Sequence, residues 1–362
     1  MKPKPHATLR SVADAAKVSH MTVSLALRND PRIPPPTRQR IQSLARELGY
    51  RRNPLVSDLM TRMRTARTLV HEATIAHVTA IHKFGGWRDY YPNREYIEGA
   101  AQRAEELGYK LEEFWLREPG MTSRRMSQIL KARGIRGLLI GGLTPVIGHL
   151  SLDWPEFACA TLGYSVRLPH LHRAVPDYVH NVALAIRELK RLGYRRIAMA
   201  MWSPLDARTA HRWTAGFLAY QQHVRAADRI PLLEPQTLDE STFNKWFRRH
   251  SPEVVIGSDH RIVGWLRAMR LRVPHDVGFV NLVKRPTERV AGIENNSRMI
   301  GAAAIDLIAS QLQRNEFGLP AVPKVVHIRG EWVEGPTVRR LVSQEGRSRN
   351  NAGHSHQVPA HL

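Results

Sequence analysis

The chain has 362 residues, of which 43% are hydrophobic, and it carries 54 lysines and arginines against 32 aspartates and glutamates. This length allows two or three domains with a large core. The lone cysteine, Cys159, excludes an intramolecular disulfide framework and zinc sites of the CxxC type. The N-terminus lacks the apolar stretch of a secretory signal, and no apolar run reaches the about 18 residues of a membrane-spanning helix. We therefore expect a soluble protein of the cytoplasm.

Positive charge is concentrated at the start of the chain. Residues 1–70 carry 14 basic and 4 acidic side chains, so they hold +10 of the total net charge of +22. A small and dense positive unit suits a polyanion such as DNA, because binding releases the counterions condensed on the phosphates. Charge alone is equally compatible with a solubilising arm. The sequence pattern within residues 1–70 has to distinguish that arm from a unit that binds a polyanion.

Three short helices are predicted within residues 8–49. Thr8 can cap the first (LRSVADAA), Ser19 the second (HMTVSLALR) and Thr37 the third (RQRIQSLAREL), and Gly49 ends the third. Their inner apolar positions predict a small core that includes Val18, Val23, Leu44 and Leu48. A turn of only about three residues between the first two helices is typical of a helix-turn-helix unit.

The rest of the chain has a different pattern. Residues 51–70 are basic with apolar residues at helical spacing, which predicts a linker that becomes ordered only against a binding partner. From Thr74 onward, apolar strands alternate with amphipathic helices, and this order predicts parallel sheets in doubly wound α/β domains. Because about 270 residues is long for one sheet, we expect two lobes with a cleft between them.

The predicted strands are Thr74–Thr79, Lys110–Phe114, Gly137–Ile140, Phe157–Leu162, Ile197–Met201, Glu253–Ile256 and Val277–Asn281. The predicted helices include Asn93–Leu107, Thr122–Arg133, Val179–Leu192, Trp213–His223, Arg261–Met269 and Ser297–Gln313.

In this order of elements, the sequence resembles the LacI/GalR family of transcription regulators over about residues 7–340. The sharpest similarity is TLRSVADAAKVSHMTVSLALRN (8–29), which follows the family's T-L-x-x-V-A-x-x-A-x-V-S-x-x-T-V-S opening, and ARELGY (45–50) fits the third helix. The resemblance implies an all-α helix-turn-helix N-terminal domain plus hinge, followed by a two-lobed α/β periplasmic-binding-protein-like effector domain. It also implies a homodimer that binds a pseudo-palindromic operator and changes affinity when a small molecule occupies the cleft.

The domain boundaries are expected as follows: the helix-turn-helix domain at residues 1–52, the hinge helix and linker at 53–70, the two-lobed effector-binding and dimerisation domain at 71–340, and a disordered tail at 341–362.

The start of the second helix is expected to read the DNA, because such helices present their N-terminal residues to base edges in the major groove. The resemblance gives this role to His20, Met21 and Leu25: His20 can donate to a purine N7, and Met21 offers an apolar contact to a thymine methyl. The alternative is that Met21 and Leu25 belong to the core. The phosphate contacts expected from hydroxyls, amides and helix N-termini are Thr8, Ser19, Thr22, Ser24, Asn29 and Arg38. Thr8, Ser19 and Thr37 can also be caps without any ligand.

The hinge is expected to enter the minor groove. By resemblance, Asn53 begins it, Leu55 and Val56 lie along it, and Leu59 stands where a leucine from each subunit wedges into a central base step. A wedge of this kind partly unstacks the step and bends the DNA. Leu59 could instead pack only against its counterpart in the dimer.

The effector residues are the least defined part of the resemblance. Trp213 stands where the family often has an arginine, and Asn281-Leu282-Val283 replaces its G-[FY]-D segment. Aromatic faces with a few charged groups suit a sugar or a related planar metabolite. The candidates are Trp87, Tyr91, Tyr164, Asp177, Arg212, Trp213 and Asp259. Asp177 can also serve only as the cap of the helix that follows it.

No enzyme motif stands against this interpretation. The phosphate-binding pattern G-x-x-x-x-G-K-[ST] and the nucleophile pattern G-x-S-x-G are both absent, and the 18 histidines are scattered without a metal-ligand spacing. We therefore predict no enzymatic activity, no cofactor and no metal. The predicted function is a ligand-responsive repressor, with double-stranded operator DNA and a sugar-like effector as its ligands. The alternative is a cytoplasmic sugar-binding module, or a carbohydrate enzyme, with a basic N-terminal tether.

Overall fold

The computed structural model describes residues 9–27, 29–50, 73–141 and 147–341. Within them the chain divides into two compact units. The first consists of residues up to 175 together with 297–326, and the second of residues 176–296 together with those from 327 onward. The chain therefore passes from one unit to the other three times. The helical N-terminal region and the α/β units match the predicted fold class, which is confirmed.

Three helices form the N-terminal region: α1 (Leu9–Ala16), α2 (His20–Ala26) and α3 (Pro35–Glu47). Their inner faces and Ile33 of the loop before α3 form one core, composed of Val12, Ala13, Ala16, Val23, Ala26, Ile33, Ile41 and Ala45. Two sequence predictions were wrong here. Helix α3 begins two residues before Thr37, because Pro35 and Pro36 suit its first turn, so Thr37 is not its cap. Leu48 follows the end of α3 and is 42% exposed, so it is not a core residue.

The first α/β unit is built on a six-stranded sheet. Its strands lie in the order β12-β7-β5-β3-β1-β2, and β2, β1, β3, β5 and β7 run parallel. The bounds are β1 Ala73–Thr79, β2 Tyr109–Trp115, β3 Gly137–Ile140, β5 Ala158–Leu162, β7 His172–Pro176 and β12 Val325–Ile328. Two short parallel strands, β4 (Ile147–His149) and β6 (Val166–Leu168), form a separate pair.

The helices of this unit are α4 (Asn93–Glu106), α5 (Ser123–Ala132) and α11 (Ser297–Arg314). Helices α4 and α11 pack against each other so closely that glycine is required on both. A Cβ atom on Gly301 would overlap the carbonyl oxygen of Tyr96, and one on Gly99 would overlap the backbone of Arg298. Close packing of two backbones thus fixes α11 to this unit although it comes late in the sequence.

The second α/β unit has a five-stranded sheet in the order β13-β11-β10-β9-β8, parallel except for β13. Its strands are β8 Ile197–Ala200, β9 Val254–Gly257, β10 Gly278–Asn281, β11 Ala291–Glu294 and β13 Glu331–Val333. Its helices are α6 Tyr178–Arg191, α7 Ser203–Arg208, α8 Arg212–Gln221, α9 Glu240–His250 and α10 Arg261–Ala268. One apolar core lies against α6 and α8, and a second lies against α9 and α10.

No helix among the described residues is long and apolar enough to span a membrane.

A histidine is buried in strand β1 of the first unit, which lies between β3 and the edge strand β2. The His77 side chain is 1% exposed, and its ring meets the edge of Trp87 with the ring centroids 5.7 Å apart. Burial lowers the pKa of His77 to about 3, because the charged imidazolium cannot be solvated inside the sheet. The folded protein therefore holds His77 mainly in its neutral form at pH 5 and above.

This burial predicts a pH-dependent stability. Between about pH 3 and pH 6.5 the unfolded chain protonates His77 and the folded chain does not, so stability rises with pH across this window and is lost as the pH falls. We expect a loss of roughly 2 kcal/mol between pH 7 and pH 5 from this residue. His77→Val should flatten the pH dependence of the melting temperature over that range. An unchanged pH profile in the variant would contradict the assignment.

Candidate nucleic-acid interface and effector residues

The turn between α1 and α2 has the geometry of a helix-turn-helix unit. Lys17 adopts a left-handed backbone conformation (φ 53°), which reverses the chain direction after α1. Ser19 then caps α2, since its Oγ accepts a hydrogen bond from the Thr22 backbone nitrogen at 3.1 Å and lies 2.8 Å from the Thr22 hydroxyl. Ser19 thus has the cap role that the sequence allowed, and its hydroxyl stands at an exposed helix N-terminus, where phosphate oxygens bind readily.

Two of the three predicted base-reading residues lie exposed on the first turn of α2. His20 is exposed, and the Met21 side chain is 68% exposed although it is apolar. Leu25, one turn later, is half-buried and packs against the three-helix core. Met21 is therefore not a core residue, whereas Leu25 belongs to the core in part. Their contacts with bases stay predictions.

Two of the predicted phosphate contacts, Asn29 and Arg38, support the loop after α2. Asn29 has a left-handed backbone (φ 59°), and its Oδ1 accepts a hydrogen bond from Gln42 Nε2 at 2.7 Å. The Arg38 guanidinium donates to the carbonyl oxygens of Asn29 at 3.1 Å and Ile33 at 3.2 Å. Of the other residues in this set, Thr22 and Ser24 are half-buried on α2. Thr8 lies outside the described residues.

The sequence prediction missed Gln42. Besides Asn29, its amide nitrogen reaches the carbonyl oxygen of Ala26 at 2.9 Å, so one side chain on α3 holds both the end of α2 and the loop after it. The sequence offered one signal for Gln42: it is a polar residue that directly follows Ile41, and Ile41 is fully buried on α3. The hinge residues Asn53, Leu55, Val56 and Leu59 lie outside the described residues, and so does the predicted tail.

In the first α/β unit, the candidate effector residues are largely enclosed by protein. Trp87 is buried, and the Arg88 guanidinium stacks over its ring at 4.2 Å. Tyr164 is half-buried, with the guanidinium of Arg173 at 4.9 Å from its ring centroid. Tyr91 is also half-buried.

In the second unit, the four candidates lie in different local surroundings. Asp177 caps α6 by accepting a hydrogen bond from the His180 backbone nitrogen at 3.2 Å, as the alternative interpretation of this residue expected. Trp213 is 4% exposed and packs edge-on against Tyr178, with the ring centroids 5.0 Å apart. Arg212, the fourth candidate, is half-buried at the start of α8.

Asp259 follows β9 and forms an ion pair with Arg261, with Asp259 Oδ2 2.6 Å from the guanidinium nitrogen Nη2. Burial raises the pKa of Asp259, but the hydrogen bonds from Arg261 outweigh it and hold the pKa below its ordinary value. The carboxylate is therefore ionised and already paired, so an effector that uses it would have to share it with Arg261.

The fold and the helical region together define a class of protein: a DNA-binding helix-turn-helix domain followed by a two-unit α/β domain of the periplasmic-binding-protein type. Residues 8–53 match the family described as "Bacterial regulatory proteins, lacI family". Residues 91–316 match "Periplasmic binding proteins and sugar binding domain of LacI family". The chain belongs to the LacI family and is a ligand-responsive DNA-binding transcription regulator.

Solved structures with the same fold include a transcriptional regulator CelR–cellobiose complex (18% identity, TM-score 0.53, covering 91% of this chain and 99% of that one). They also include the lac repressor dimer bound to operator and the anti-inducer ONPF (18% identity, TM-score 0.52, covering 93% of this chain and 100% of that one). A third is a LacI transcriptional regulator from a Rhodococcus species (17% identity, TM-score 0.53, covering 74% of this chain and 98% of that one). No curated protein sequence matches this chain.

Proposed function

We propose that the protein is a dimeric repressor that reads a pseudo-palindromic operator with α2 and responds to a small sugar-like metabolite. The observation that carries this proposal is the exposure of His20 and Met21 on the first turn of a capped helix in a helix-turn-helix unit. An apolar side chain that is 68% exposed at this position suits a contact with a thymine methyl group. A twofold dimer presents two such helices, which is the reason to expect two half-sites.

The proposed effector is a small molecule bound to the α/β domain. Residues 91–316 match a family that includes the sugar-binding domain of LacI proteins. Two structures with this fold are described as bound to cellobiose and to ONPG. The seven candidate residues remain our proposal. The proposed domain boundaries are those given above. The protein acts by binding rather than by catalysis, and it works in the cytoplasm, where it meets the DNA.

The deciding experiment is selection of bound duplexes from a random pool, with and without a panel of monosaccharides and disaccharides. We expect enrichment of one symmetric sequence and a change in its retention with one sugar. Binding should fall steeply with salt because it releases counterions. Equal retention of all duplexes would contradict the proposal and favour a sugar-binding module with a basic tether.

Leu59 gives a separate prediction for the hinge. Leu59→Ala should weaken operator binding and reduce DNA bending, because it removes the apolar wedge that keeps the central step unstacked. A circular-permutation gel assay measures the bend, and Leu69→Ala is the control, because it removes a leucine of the same segment that is not a predicted DNA contact. Bending equal to that of the wild type would exclude the wedge and leave Leu59 as a contact between subunits.

A further inference from the structure

Three potential metal-binding side chains meet in the second unit, and Glu234 comes from a different segment of the chain than Asp206 and His211. Asp206 lies in α7, His211 directly precedes α8, and Glu234 follows Leu233, which pairs with Ala200 at the end of β8. The backbone nitrogen of Met201 donates to the Leu233 carbonyl at 2.8 Å, and this hydrogen bond holds the Glu234 segment beside the end of the strand.

The turn between α7 and α8 positions the histidine. Ala210 and His211 both have left-handed backbones (φ 57° and 56°), and the His211 backbone nitrogen donates to the Asp206 carbonyl at 2.9 Å. This conformation folds the chain back on itself, and it places the imidazole Nδ1 3.2 Å from Asp206 Oδ2.

The charge of this cluster is unbalanced. The Asp206 side chain is completely buried, and its Oδ1 has one neutral contact, with the Thr209 hydroxyl at 3.3 Å. His211 Nδ1 lies 3.2 Å from the other carboxylate oxygen, Oδ2. Burying a carboxylate is costly unless it is paired or bound to a metal ion. A bound metal ion would supply positive charge at this place.

The distances fit a metal ion. His211 Nδ1 lies 3.2 Å from Asp206 Oδ2 and 3.7 Å from Glu234 Oε1, and the three ligand atoms all lie within 4.8 Å of one another. Ligands about 2.0–2.2 Å from a tetrahedral zinc ion stand roughly 3.3–3.6 Å apart. One imidazole and two carboxylates are a donor set that zinc accepts, whereas calcium and magnesium prefer oxygen donors alone.

We propose that Asp206, His211 and Glu234 bind a divalent transition-metal ion of the zinc type, with a fourth position open to water or to a small ligand. The Thr214 hydroxyl, which lies 3.5 Å from Glu234 Oε2, orients the second carboxylate from outside the ligand set. This site goes beyond the proposed operator and sugar binding, and neither of those activities depends on it.

The test uses the full chain, stripped of metal with a chelator and then dialysed against zinc. We expect the wild type to retain one more equivalent of zinc than His211→Asn and Glu234→Gln, and zinc affinity in both variants to fall by more than about tenfold. Asparagine is chosen at position 211 because it tolerates the left-handed backbone there. Cobalt gives an independent readout, since a tetrahedral site produces intense visible absorption that both variants should lose.

The matched control is His223→Asn, which removes an exposed histidine of the same unit that is outside the cluster. It should retain zinc and the cobalt spectrum like the wild type, which accounts for zinc held elsewhere by the many histidines. Equal zinc retention by the wild type, His211→Asn and His223→Asn would overturn the proposal. Operator selection by the wild type would be unaffected by that result, so failure of this proposal is distinguishable from failure of the proposed function.

Discussion

Replacing His20 and Met21 together by alanine is expected to weaken binding to the selected operator by about 100-fold or more, while binding to random duplex changes little. A good base contact discriminates by about 1–3 kcal/mol, and the proposed dimer would lose two contacts in each of two half-sites. Both side chains are exposed on α2, so the three-helix core keeps all of its apolar contacts. Alanine also favours the helix, so its backbone is preserved.

Gel shifts with operator and with random duplex, each at two salt concentrations, measure the loss. Glu47→Gln is the control, because Glu47 is exposed in the last turn of α3 and is not a predicted contact. An equal loss of affinity for both duplexes would indicate that His20 and Met21 contact phosphates rather than bases. No loss on either would move recognition away from the start of α2.

Gly301→Ala is expected to destabilise the first α/β unit by about 3 kcal/mol, at the upper end of the usual range for overpacking. The added Cβ would overlap the Tyr96 carbonyl oxygen and stand 2.8 Å from the Ala100 backbone nitrogen. No rotamer change can relieve a clash with the backbone of a neighbouring helix, so α4 and α11 must separate. The expected result is a clearly lower melting temperature for the first unit.

Gly264→Ala is the matched control for the glycine substitution. Gly264 lies exposed in α10, and a Cβ there would meet no atom within 4 Å. Alanine should stabilise this helix by about 0.5–1 kcal/mol, because glycine loses more conformational freedom on folding. If Gly301→Ala melts at the wild-type temperature, the two helices are not packed as closely as the structure has them.

Most regular elements could be predicted from the sequence, because their apolar positions repeat at helix or strand spacing. The predicted helix Asn93–Leu107 ends within one residue of the observed α4, and the strand Gly137–Ile140 is identical to β3. Strand β7 was missed because it buries polar residues: Arg173 is 7% exposed, and it donates to the Gly163 carbonyl at 3.1 Å. Helix α9 was missed although Asp239 caps it and Phe243, Trp246 and Phe247 form its apolar face.

The candidate sites were predicted unequally, for a physical reason. Local sequence determines a helix-turn-helix, so the cap at Ser19 and the exposure of His20 follow from a few neighbouring residues. The α/β domain instead assembles its side chains from distant segments. Sequence alone therefore could not distinguish Trp213, a core residue, from a ligand contact, and it could not bring Glu234 next to His211.

The three passages of the chain between the units have a consequence for synthesis on the ribosome. Helix α11 and strand β12 belong to the first unit's sheet and helix layer, yet they follow residue 296. The first unit therefore cannot close its core while the nascent chain ends before that point, whereas β8, β9, β10 and β11 of the second sheet have already been synthesised. A stop codon after residue 296 would leave the first unit without helix α11 and strand β12, which cover its sheet and its edge. A protease should degrade such a truncated protein rapidly.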